Sequence, residues 1–342
     1  MKILIVLPPN LPSGGNWTYS GRLKRNLLPY GIQITIKPLD RVNSADYEAA
    51  DIIHSYNAYA TGRHIVQEAK RLEKPMVLTM TGTDVNEHLG HPDTTDSMAE
   101  AVDYASAIVF LTDDAKERLA TLRPTAAEKS HVINLGVDLP EGVGKTRADF
   151  HFSDDEFLFL LVAGLRPVKR PLDAFSGLQK VHEQHPHVRF VLVGPVLDEK
   201  VGQQVESAFA KSEFARYLGS VPYEEIADLY RAADVVMNTS SSEGLSHALL
   251  EAMSIGKPVL ASNVPGNRDL IQDGENGFLY AEEQELVQKA TQLVTDAAVR
   301  DKLSKGSLAT IAERFSLALE RDTFLALYRN VCKRTPCGAN KQ

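Results

Sequence analysis

Two glutamates flank the start of a short helix in the stretch SSSEGLSHALLEAMSIGKPVLA, residues 240–261. Seven residues separate Glu243, in a polar loop, from Glu251, which lies within a helix expected to begin near Ser246. The first N–H groups of such a helix have no partner within it, and with the helix dipole they favour a bound anion by about 0.3–2 kcal/mol. We therefore expect phosphates at the helix start, where Gly244 allows close approach, and a ribose diol on Glu251. Glu243 would face the group beyond the phosphates, although the spacing alone fits a surface helix with two solvated glutamates equally well.

A basic loop, LRPVKR at residues 165–170, follows an apolar run and precedes a helical pattern. Arg166 can bind a phosphate through two N–H groups, and Lys169 can act as a point charge. In a parallel sheet, ligands bind outside the carboxyl ends of the strands, so this loop and the helix start are expected at equivalent edges of one domain. Taken by itself, the loop is explained equally well as solvated surface.

Two loops in the first half carry weaker signals. Gly14 and Gly15 end a loop after the first apolar run, where an ordinary turn also explains them. Thr81 and Asp84, in the run TGTD, suit sugar hydroxyls or an ordinary turn. Neither the glycine pattern of a dinucleotide-binding turn nor a phosphate-loop lysine pattern occurs, which argues against a nicotinamide oxidoreductase.

The sequence predicts no metal site. His54, His88 and His91 lack the spacing of metal ligands, and no Asp-x-Asp pair is present to hold a divalent ion on a diphosphate. A site that works without metal must neutralise a leaving phosphate with Arg, Lys and helix N–H groups. The second half of the chain supplies those groups.

Composition indicates a globular protein of two domains. The chain has 342 residues, 43% hydrophobic and 24% charged, and a net charge of −8 that argues against nucleic acid as the main partner. A small basic patch for a membrane surface or an anionic acceptor remains compatible with that total. Seven residues before two prolines are too few for a signal-peptide core or a bilayer span, and the two cysteines near the C-terminus are expected as thiols. We therefore expect a cytoplasmic protein.

Short apolar runs alternate with helical patterns along both halves of the chain. Strands are expected at 3–7, 33–37, 52–55, 76–81, 107–112 and 131–134, and, beyond a polar connector at 138–156, at 157–163, 189–194, 235–239 and 258–262. Helices are expected at 17–29, 61–72, 97–105, 113–121, 171–185, 198–211, 223–233, 282–311 and 316–331, besides the one after Ser246. This alternation is typical of parallel sheets covered by helices. The prediction is an α/β protein with two Rossmann-like parallel-sheet domains that face each other across a cleft.

The run from residue 240 to 280 resembles the Glu-x7-Glu region of retaining glycosyltransferases of family 4, which have the GT-B fold. The likeness includes Glu-Gly, Leu-Glu-Ala-Met, Gly-Lys-Pro-Val and Asn-Gly-Phe-Leu, and it extends to Val-Leu-Val-Gly at 191–194 and Tyr-Leu-Gly at 217–219. The resemblance is strong over 157–280 and looser before that. The runs TGTD and GLRPVK suggest one branch of the family.

The resemblance implies a residue-by-residue site. Backbone N–H groups near Leu245 and Ser246 would hold the diphosphate of the donor, and Lys169 matches the phosphate lysine of the family. Gly15 would touch the donor phosphates and the acceptor, and Gly194 would lie at the nucleotide. Glu251 would hold the ribose and Glu243 the donor sugar. The C-terminal helix would cross back to the first domain, which divides the chain into 1–139 plus about 313–342 on the acceptor side and 140–312 on the nucleotide side.

Three places depart from the family pattern. The usual Asn-Gly-Val-Asp at the connector reads LGVD at residues 135–138. Thr81 stands where the family often has histidine, and Gly164 stands where it has an arginine, which occurs here two places later as Arg166. These departures concern the identity of the donor sugar more than the transfer itself.

The implied activity is a retaining, metal-independent transfer of a sugar from a nucleoside-diphosphate sugar, UDP- or GDP-linked, with no further cofactor. The acceptor would be a carbohydrate, a lipid-linked sugar or a small molecule. Two alternatives remain: another GT-B enzyme such as a sugar-nucleotide epimerase, and a nucleotide-sugar-binding protein without catalysis.

Overall fold

The computed structural model describes residues 1–9 and 15–334, and the chain folds as two compact units. The first unit comprises Met1–Gly136 together with the C-terminal segment that begins at Phe315, and the second comprises Val137–Arg314. Each unit is built on a six-stranded sheet whose neighbouring strands are all parallel. The expected α/β class with two parallel sheets is confirmed.

The sheet of the first unit has the strand order β2-β1-β3-β4-β5-β6. Its four inner strands are almost entirely buried, which is typical of parallel strands with both faces covered. The strands are β1 (Lys2–Leu7), β2 (Gln33–Pro38), β3 (Ile52–Tyr56), β4 (Met76–Met80), β5 (Ala107–Phe110) and β6 (Ser130–Val132).

The sheet of the second unit has the strand order β12-β11-β10-β7-β8-β9. The chain therefore begins in the middle of the sheet, moves outward through two strands, and returns to the other side of β7. The strands are β7 (Phe157–Val162), β8 (Val188–Val193), β9 (Ala215–Tyr217), β10 (Val235–Asn238), β11 (Val259–Ser262) and β12 (Phe278–Tyr280).

Helices connect successive strands in both units. They are α1 (Gly15–Leu27), α2 (Ser44–Ala49), α3 (Arg63–Arg71), α4 (Pro92–Tyr104), α5 (Asp113–Leu122), α6 (Pro171–Gln184), α7 (Glu199–Phe209), α8 (Ile226–Ala232), α9 (His247–Ser254), α10 (Pro265–Arg268), α11 (Glu283–Thr295), α12 (Ala297–Arg314) and α13 (Leu317–Arg334). Single π-helical turns occupy Ala58–Gly62 and Asp84–His88, directly after β3 and β4. Trp17, the one tryptophan of the sequence, is half-buried in the first turn of α1. No helix within residues 1–9 and 15–334 is long and apolar enough to cross a bilayer.

The C-terminal helix α13 is bound to the first unit by buried polar contacts. Glu320 accepts hydrogen bonds from Arg22 on α1, at 3.0 Å, and from the N–H of Gly136, at 3.1 Å. The hydroxyl of Tyr328 lies 2.7 Å from Nδ1 of His54 on β3. Because charged and polar groups are costly to bury without partners, these contacts specify where α13 packs.

The polar connector is fixed to the second unit. Asp228 on α8, 2% exposed, accepts hydrogen bonds from the N–H groups of Val143 and Lys145 at 2.8 and 3.1 Å. A Cβ at Gly142, where φ is +88°, would lie 2.2 Å from the Asp228 carboxylate, so this turn requires glycine. Phe150 and Phe152 are buried as well. The connector therefore packs against the second unit through two aromatic side chains and the Asp228 carboxylate, although its sequence shows no apolar period.

Short or interrupted elements differ from the sequence-based expectations. The three-residue strands β9 and β12 carry too few residues to show a period and were not predicted, and neither were the short helices α2 and α10. The helix expected at 282–311 is two helices. Asp296 has an extended backbone between them. Its side chain accepts a hydrogen bond from the N–H of Val299 and so caps the start of α12.

Candidate functional site

The strand order of the second unit reverses between β7 and β10, which are hydrogen-bonded neighbours. The connection after β7 leads to β8 on one side, and the connection after β10 leads to β11 on the other. In parallel sheets, a crevice for ligands opens where strand order reverses, outside the carboxyl ends of the strands. The loops at this point are residues 163–170 and 239–246.

Backbone and side-chain hydrogen bonds join these two loops. The N–H of Ser241 donates to the carbonyl of Val168 at 2.8 Å, and the hydroxyl of Thr239 donates to the carbonyl of Lys169 at 2.7 Å. Nε of Arg170 donates to the carbonyl of Thr239 at 3.0 Å. Arg170 adopts a left-handed backbone with φ +42°, which costs a non-glycine residue of order 1–3 kcal/mol and persists only where its surroundings hold it. The basic loop is therefore held in one shape against the loop after β10.

Lys169 and Glu243 form an ion pair between these loops, with Nζ 2.5 Å from Oε1. The same carboxylate oxygen accepts hydrogen bonds from Nδ2 of Asn238 at 2.9 Å and from the hydroxyl of Ser240 at 2.7 Å. Burial raises the pKa of Glu243, but the charge of Lys169 and these hydrogen bonds outweigh burial and leave the pKa below its usual range. The structure thus brings two predicted site residues into contact and keeps the glutamate ionised.

Helix α9 begins beside this ion pair. Ser246 caps it, since its hydroxyl accepts a hydrogen bond from the N–H of Leu249 at 3.4 Å and another from Nδ2 of Asn238 at 3.1 Å. The N–H groups of Gly244, Leu245 and Ser246 form no hydrogen bond with any residue of the described part of the chain. The side chain of Leu245 is buried, so only its backbone can face a ligand. This start of α9 fits an anion, as the sequence predicts.

Two tyrosines hold Glu251, and sequence reasoning missed both. The hydroxyl of Tyr230, on α8, donates to Oε2 of Glu251 at 2.8 Å, and the hydroxyl of Tyr223 donates to Oε1 at 3.4 Å. Burial, with the nearby charge of Glu251, raises the pKa of Tyr230, so that its hydroxyl stays a donor. The only signal in the sequence is that both tyrosines lie in the predicted helix 223–233, which does not show that they face Glu251.

Arg166 and Gly194 lie at the carboxyl ends of neighbouring strands. Arg166 is exposed and precedes the short 3-10 turn Pro167–Lys169. Gly194 follows β8 with φ +145°, and a Cβ there would lie 2.1 Å from the carbonyl oxygen of Ala163. Glycine is therefore required for the backbone after β8 to approach the backbone after β7.

In the first unit, Thr81 and Asp84 lie in one loop with different surroundings. Asp84 is fully buried and accepts hydrogen bonds from four N–H groups, those of Ala58, Thr81, Gly82 and Val85. Burial raises the pKa of Asp84, although these hydrogen bonds act in the opposite direction. The expected contact of Asp84 with a sugar is not supported, because its side chain has no exposed surface; it orders the loop instead. Thr81 is half-buried, with its hydroxyl 3.4 Å from Nδ2 of Asn57.

The glycine loop after β1 is only partly described. Gly14 lies outside the described residues. Gly15 is exposed and is the first residue of α1, two residues earlier than the expected helix start. No group of three or more His, Cys, Asp or Glu side chains within residues 1–9 and 15–334 is placed to hold a metal ion.

Residues 143–308, within the second unit, match the family model described as Glycosyl transferases group 1. The chain carries a glycosyl transferases group 1 domain. The ion pair, the capped helix start and Glu251 all lie inside this group 1 domain. The resemblance found in the sequence is therefore confirmed at the level of glycosyl transferases group 1.

Relatives in sequence extend this likeness beyond the group 1 domain. The chain is 28% identical over 330 residues to Glycosyltransferase 1 domain-containing protein 1 of Xenopus tropicalis, covering 93% of this chain and 94% of that protein. It is 29% identical over 302 residues to D-inositol 3-phosphate glycosyltransferase of Kribbella flavida, covering 82% of this chain and 71% of that protein. The likeness thus includes the first unit as well as the group 1 domain.

Solved structures share the fold. Anabaena HepE, in complex with UDP and glucose, has a TM-score of 0.80 at 19% identity, covering 96% of this chain and all of that one. Sucrose-phosphate synthase of Thermosynechococcus elongatus has a TM-score of 0.81 at 16% identity, covering 98% of this chain and all of that one. The chain, including the group 1 domain, therefore has the GT-B fold.

Proposed function

We propose that the protein is a retaining, metal-independent glycosyltransferase that moves a sugar from a nucleoside-diphosphate sugar to an acceptor hydroxyl. The observation that carries this proposal is the Lys169–Glu243 ion pair beside the start of α9, at the reversal of strand order. A cation, unpaired N–H groups and an ionised carboxylate meet there within a few residues. This combination suits a diphosphate joined to a hydroxyl-rich sugar.

Each group has a defined task. Lys169, Arg166 and the N–H groups at Gly244, Leu245 and Ser246 would stabilise the charge that develops on the leaving diphosphate. Because these groups supply positive charge directly, we propose transfer without a metal ion.

The two glutamates would bind the two ends of the donor. Glu251, oriented by Tyr230, would accept hydrogen bonds from the ribose diol, and Glu243 would bind hydroxyls of the donor sugar. Gly194 would lie at the nucleotide. We assign the donor to the second unit, and the acceptor to the first, where Gly15 and Thr81 lie.

The acceptor hydroxyl would attack on the face that the nucleotide leaves, so that the anomeric configuration is retained. An oxygen of the leaving phosphate would take the proton of that hydroxyl, and no side-chain base is required. UDP is the first candidate for the nucleotide, since HepE has been crystallised with UDP and with UDP-glucose. GDP is the second candidate. Carbohydrates, lipid-linked sugars and small hydroxyl compounds are the acceptor classes, and a cytoplasmic location stays a prediction.

The test begins with donor binding and turnover. A panel of UDP-, GDP- and ADP-sugars would be screened by thermal shift, because a ligand at a hundred times its Kd stabilises the folded state by about 2.7 kcal/mol. Nucleotide release with acceptors would then be measured in the presence of EDTA, and the product anomer determined by NMR. Binding without nucleotide release would favour a binding protein, and product without an acceptor would favour an epimerase.

The variant Lys169→Ala tests the assignment of the site. Loss of one electrostatic donor to a developing charge costs about a hundred- to a thousandfold in kcat, while the fold should persist because Glu243 keeps its bonds to Asn238 and Ser240. Lys180→Ala, which removes an exposed lysine paired with Glu283 on the same unit, is the matched control. Near-native turnover of Lys169→Ala would refute the diphosphate assignment.

A further inference from the structure

Asn238, the last residue of β10, carries a buried amide at the point where strand order reverses. Its exposed fraction is 5%, and the three strand residues before it are apolar and fully buried. A buried amide is costly unless its donors and acceptors are all used. Its hydrogen bonds therefore reveal what this side chain holds in place.

Both polar atoms of the Asn238 amide form hydrogen bonds. Nδ2 donates to Oε1 of Glu243 at 2.9 Å and to the hydroxyl of Ser246 at 3.1 Å. Oδ1 accepts from the N–H of Ser240 at 3.0 Å and from Nδ2 of Asn267 at 3.2 Å. These partners fix the orientation of the amide, because the ionised Glu243 can only accept and the N–H of Ser240 can only donate.

Residues behind Asn238 hold it in turn. Asn267 on α10 is fully buried, and its Nδ2 also donates to the carbonyl of Ser262 at 2.9 Å. The preceding residue, Gly266, packs directly against the loop after β10. A Cβ there would lie 2.5 and 2.6 Å from the carbonyl oxygens of Glu243 and Gly244. The amide therefore has a rigid support on the side away from the ion pair.

We infer that Asn238 is the positioning residue of the donor site. One amide group holds the carboxylate of Glu243 and the cap of α9 at Ser246, and so fixes the distance between the sugar-binding and diphosphate-binding groups. It also keeps Glu243 ionised by donating to its carboxylate. This inference rests on the proposed function and adds a residue that neither the spacing of the two glutamates nor the basic loop indicates.

The test is the variant Asn238→Asp, which keeps the size of the side chain and its acceptor for Ser240 but replaces the donor toward Glu243 with an acceptor. At neutral pH two carboxylates would then face each other, and we expect kcat/KM for the donor to fall about 10- to 100-fold, the value of a hydrogen bond to a charged group. At lower pH the new carboxyl group becomes protonated and again donates to Glu243. The activity ratio of variant to wild type should therefore rise as the pH falls.

Asn276→Asp is the matched control. Asn276 lies in the same unit, is 6% exposed, and makes three hydrogen bonds of its own, to Leu270, Thr310 and Gln272. Its replacement should lower stability without a pH-dependent ratio. A ratio for Asn238→Asp that is equally independent of pH, or kinetics equal to wild type, would overturn the inference.

A second variant covers failure of the first to fold. Asn238→Ala removes the donor, so the pKa of Glu243 rises and the acid limb of kcat/KM shifts to higher pH. An unshifted acid limb in folded Asn238→Ala would also overturn the inference. Absence of any donor binding or turnover in the wild type would instead refute the proposed function itself, which keeps the two failures distinguishable.

Discussion

At the scale of single residues, the two carboxylate oxygens of Glu251 are held to different degrees. Tyr230 is fully buried and bonds Oε2, whereas Tyr223 is 46% exposed and makes only a long bond to Oε1. A fixed carboxylate binds a diol at lower entropic cost than a free one, since its rotamer is already set. Tyr230 would therefore set the orientation of Glu251 for the proposed ribose contact, and Tyr223 would add less.

The variant Tyr230→Phe tests this preparation. Removing the hydroxyl takes one hydrogen bond from a charged group, and we expect the Kd for UDP, measured by calorimetry, to rise about 5- to 10-fold.

Tyr280→Phe serves as the control for that variant. The hydroxyl of Tyr280 is buried in the same unit and has no hydrogen-bond partner in the described part of the chain, so its loss should leave the Kd unchanged. Equal effects of the two variants would contradict the role of Tyr230.

At the scale of elements, a histidine between β3 and α13 shows how the C-terminal helix is held. Both ring nitrogens of His54 have partners, the hydroxyl of Tyr328 at 2.7 Å and the hydroxyl of Thr79 at 2.7 Å. Burial lowers the pKa of His54 to about 3, so the ring remains neutral throughout the physiological range. The joint between α13 and the first sheet thus depends on a histidine that is neutral in the folded protein at physiological pH.

This joint predicts acid sensitivity. An unfolded histidine titrates near pH 6.5, above the folded value, so between about pH 6.5 and 3 only the unfolded state binds the proton. Stability is therefore present above pH 6.5 and is lost as the pH falls, by about 2 kcal/mol at pH 5. His54→Gln should lack this part of the loss in denaturant unfolding at pH 7 and pH 5. His187→Gln, at an exposed position, should retain it, and identical pH dependence in His54→Gln and wild type would contradict the argument.

Elements with a long apolar run were predictable from sequence, and short ones were not. Ten strands were expected near their observed positions, because a buried parallel strand such as Phe157–Val162 consists almost wholly of apolar residues. The three-residue strands β9 and β12 depend on pairing with a neighbour rather than on their own pattern. The end of the helix at Thr295 depends on the side chain of Asp296, which acts as a cap within a run that otherwise continues the helical period.

At the scale of the whole molecule, the chain starts in the first unit, builds the second, and returns to the first at Phe315. The connector belongs physically to the second unit, through Asp228, and α13 belongs to the first, through Glu320 and Tyr328. Each unit thus carries its own core and its own buried polar contacts. Changes caused by the nucleotide can be examined unit by unit for this reason.

Hydrogen exchange with and without UDP provides the measurement. We expect protection to increase mainly in the second unit, over residues 163–170, 194–198 and 239–251, because the proposed nucleotide contacts lie there. Lys169→Ala at the same UDP concentration should show weaker protection. Protection confined to the first unit would contradict the assignment of the donor.

The site was predictable only in part, for a physical reason. Lys169, Glu243 and Ser246 could be named because charge, helix start and strand end are visible in the sequence. Asn238 and Tyr230 could not be named. Asn238 matters because it bonds Glu243, 5 residues away in the chain, and Tyr230 because it bonds Glu251, 21 residues away. An asparagine in a strand or a tyrosine in a helix has many other uses, so the sequence does not reveal these contacts. Asp84, expected to contact a sugar, is buried and bonds four backbone N–H groups, and the sequence does not show which N–H groups a carboxylate will meet.

The position of Trp17 has a practical consequence for spectroscopy. It is the only indole in the chain and sits half-buried in the first turn of α1, two residues after Gly15. Fluorescence excited at the red edge of protein absorption therefore comes from Trp17 alone, in the first unit. No label is needed, and the proposed donor site in the second unit adds no tryptophan emission. A sugar acceptor that reaches α1 would change that emission, whereas a nucleotide held only by the second unit would not. The intrinsic fluorescence of the unmodified protein can thus distinguish acceptor binding from donor binding in the proposed reaction.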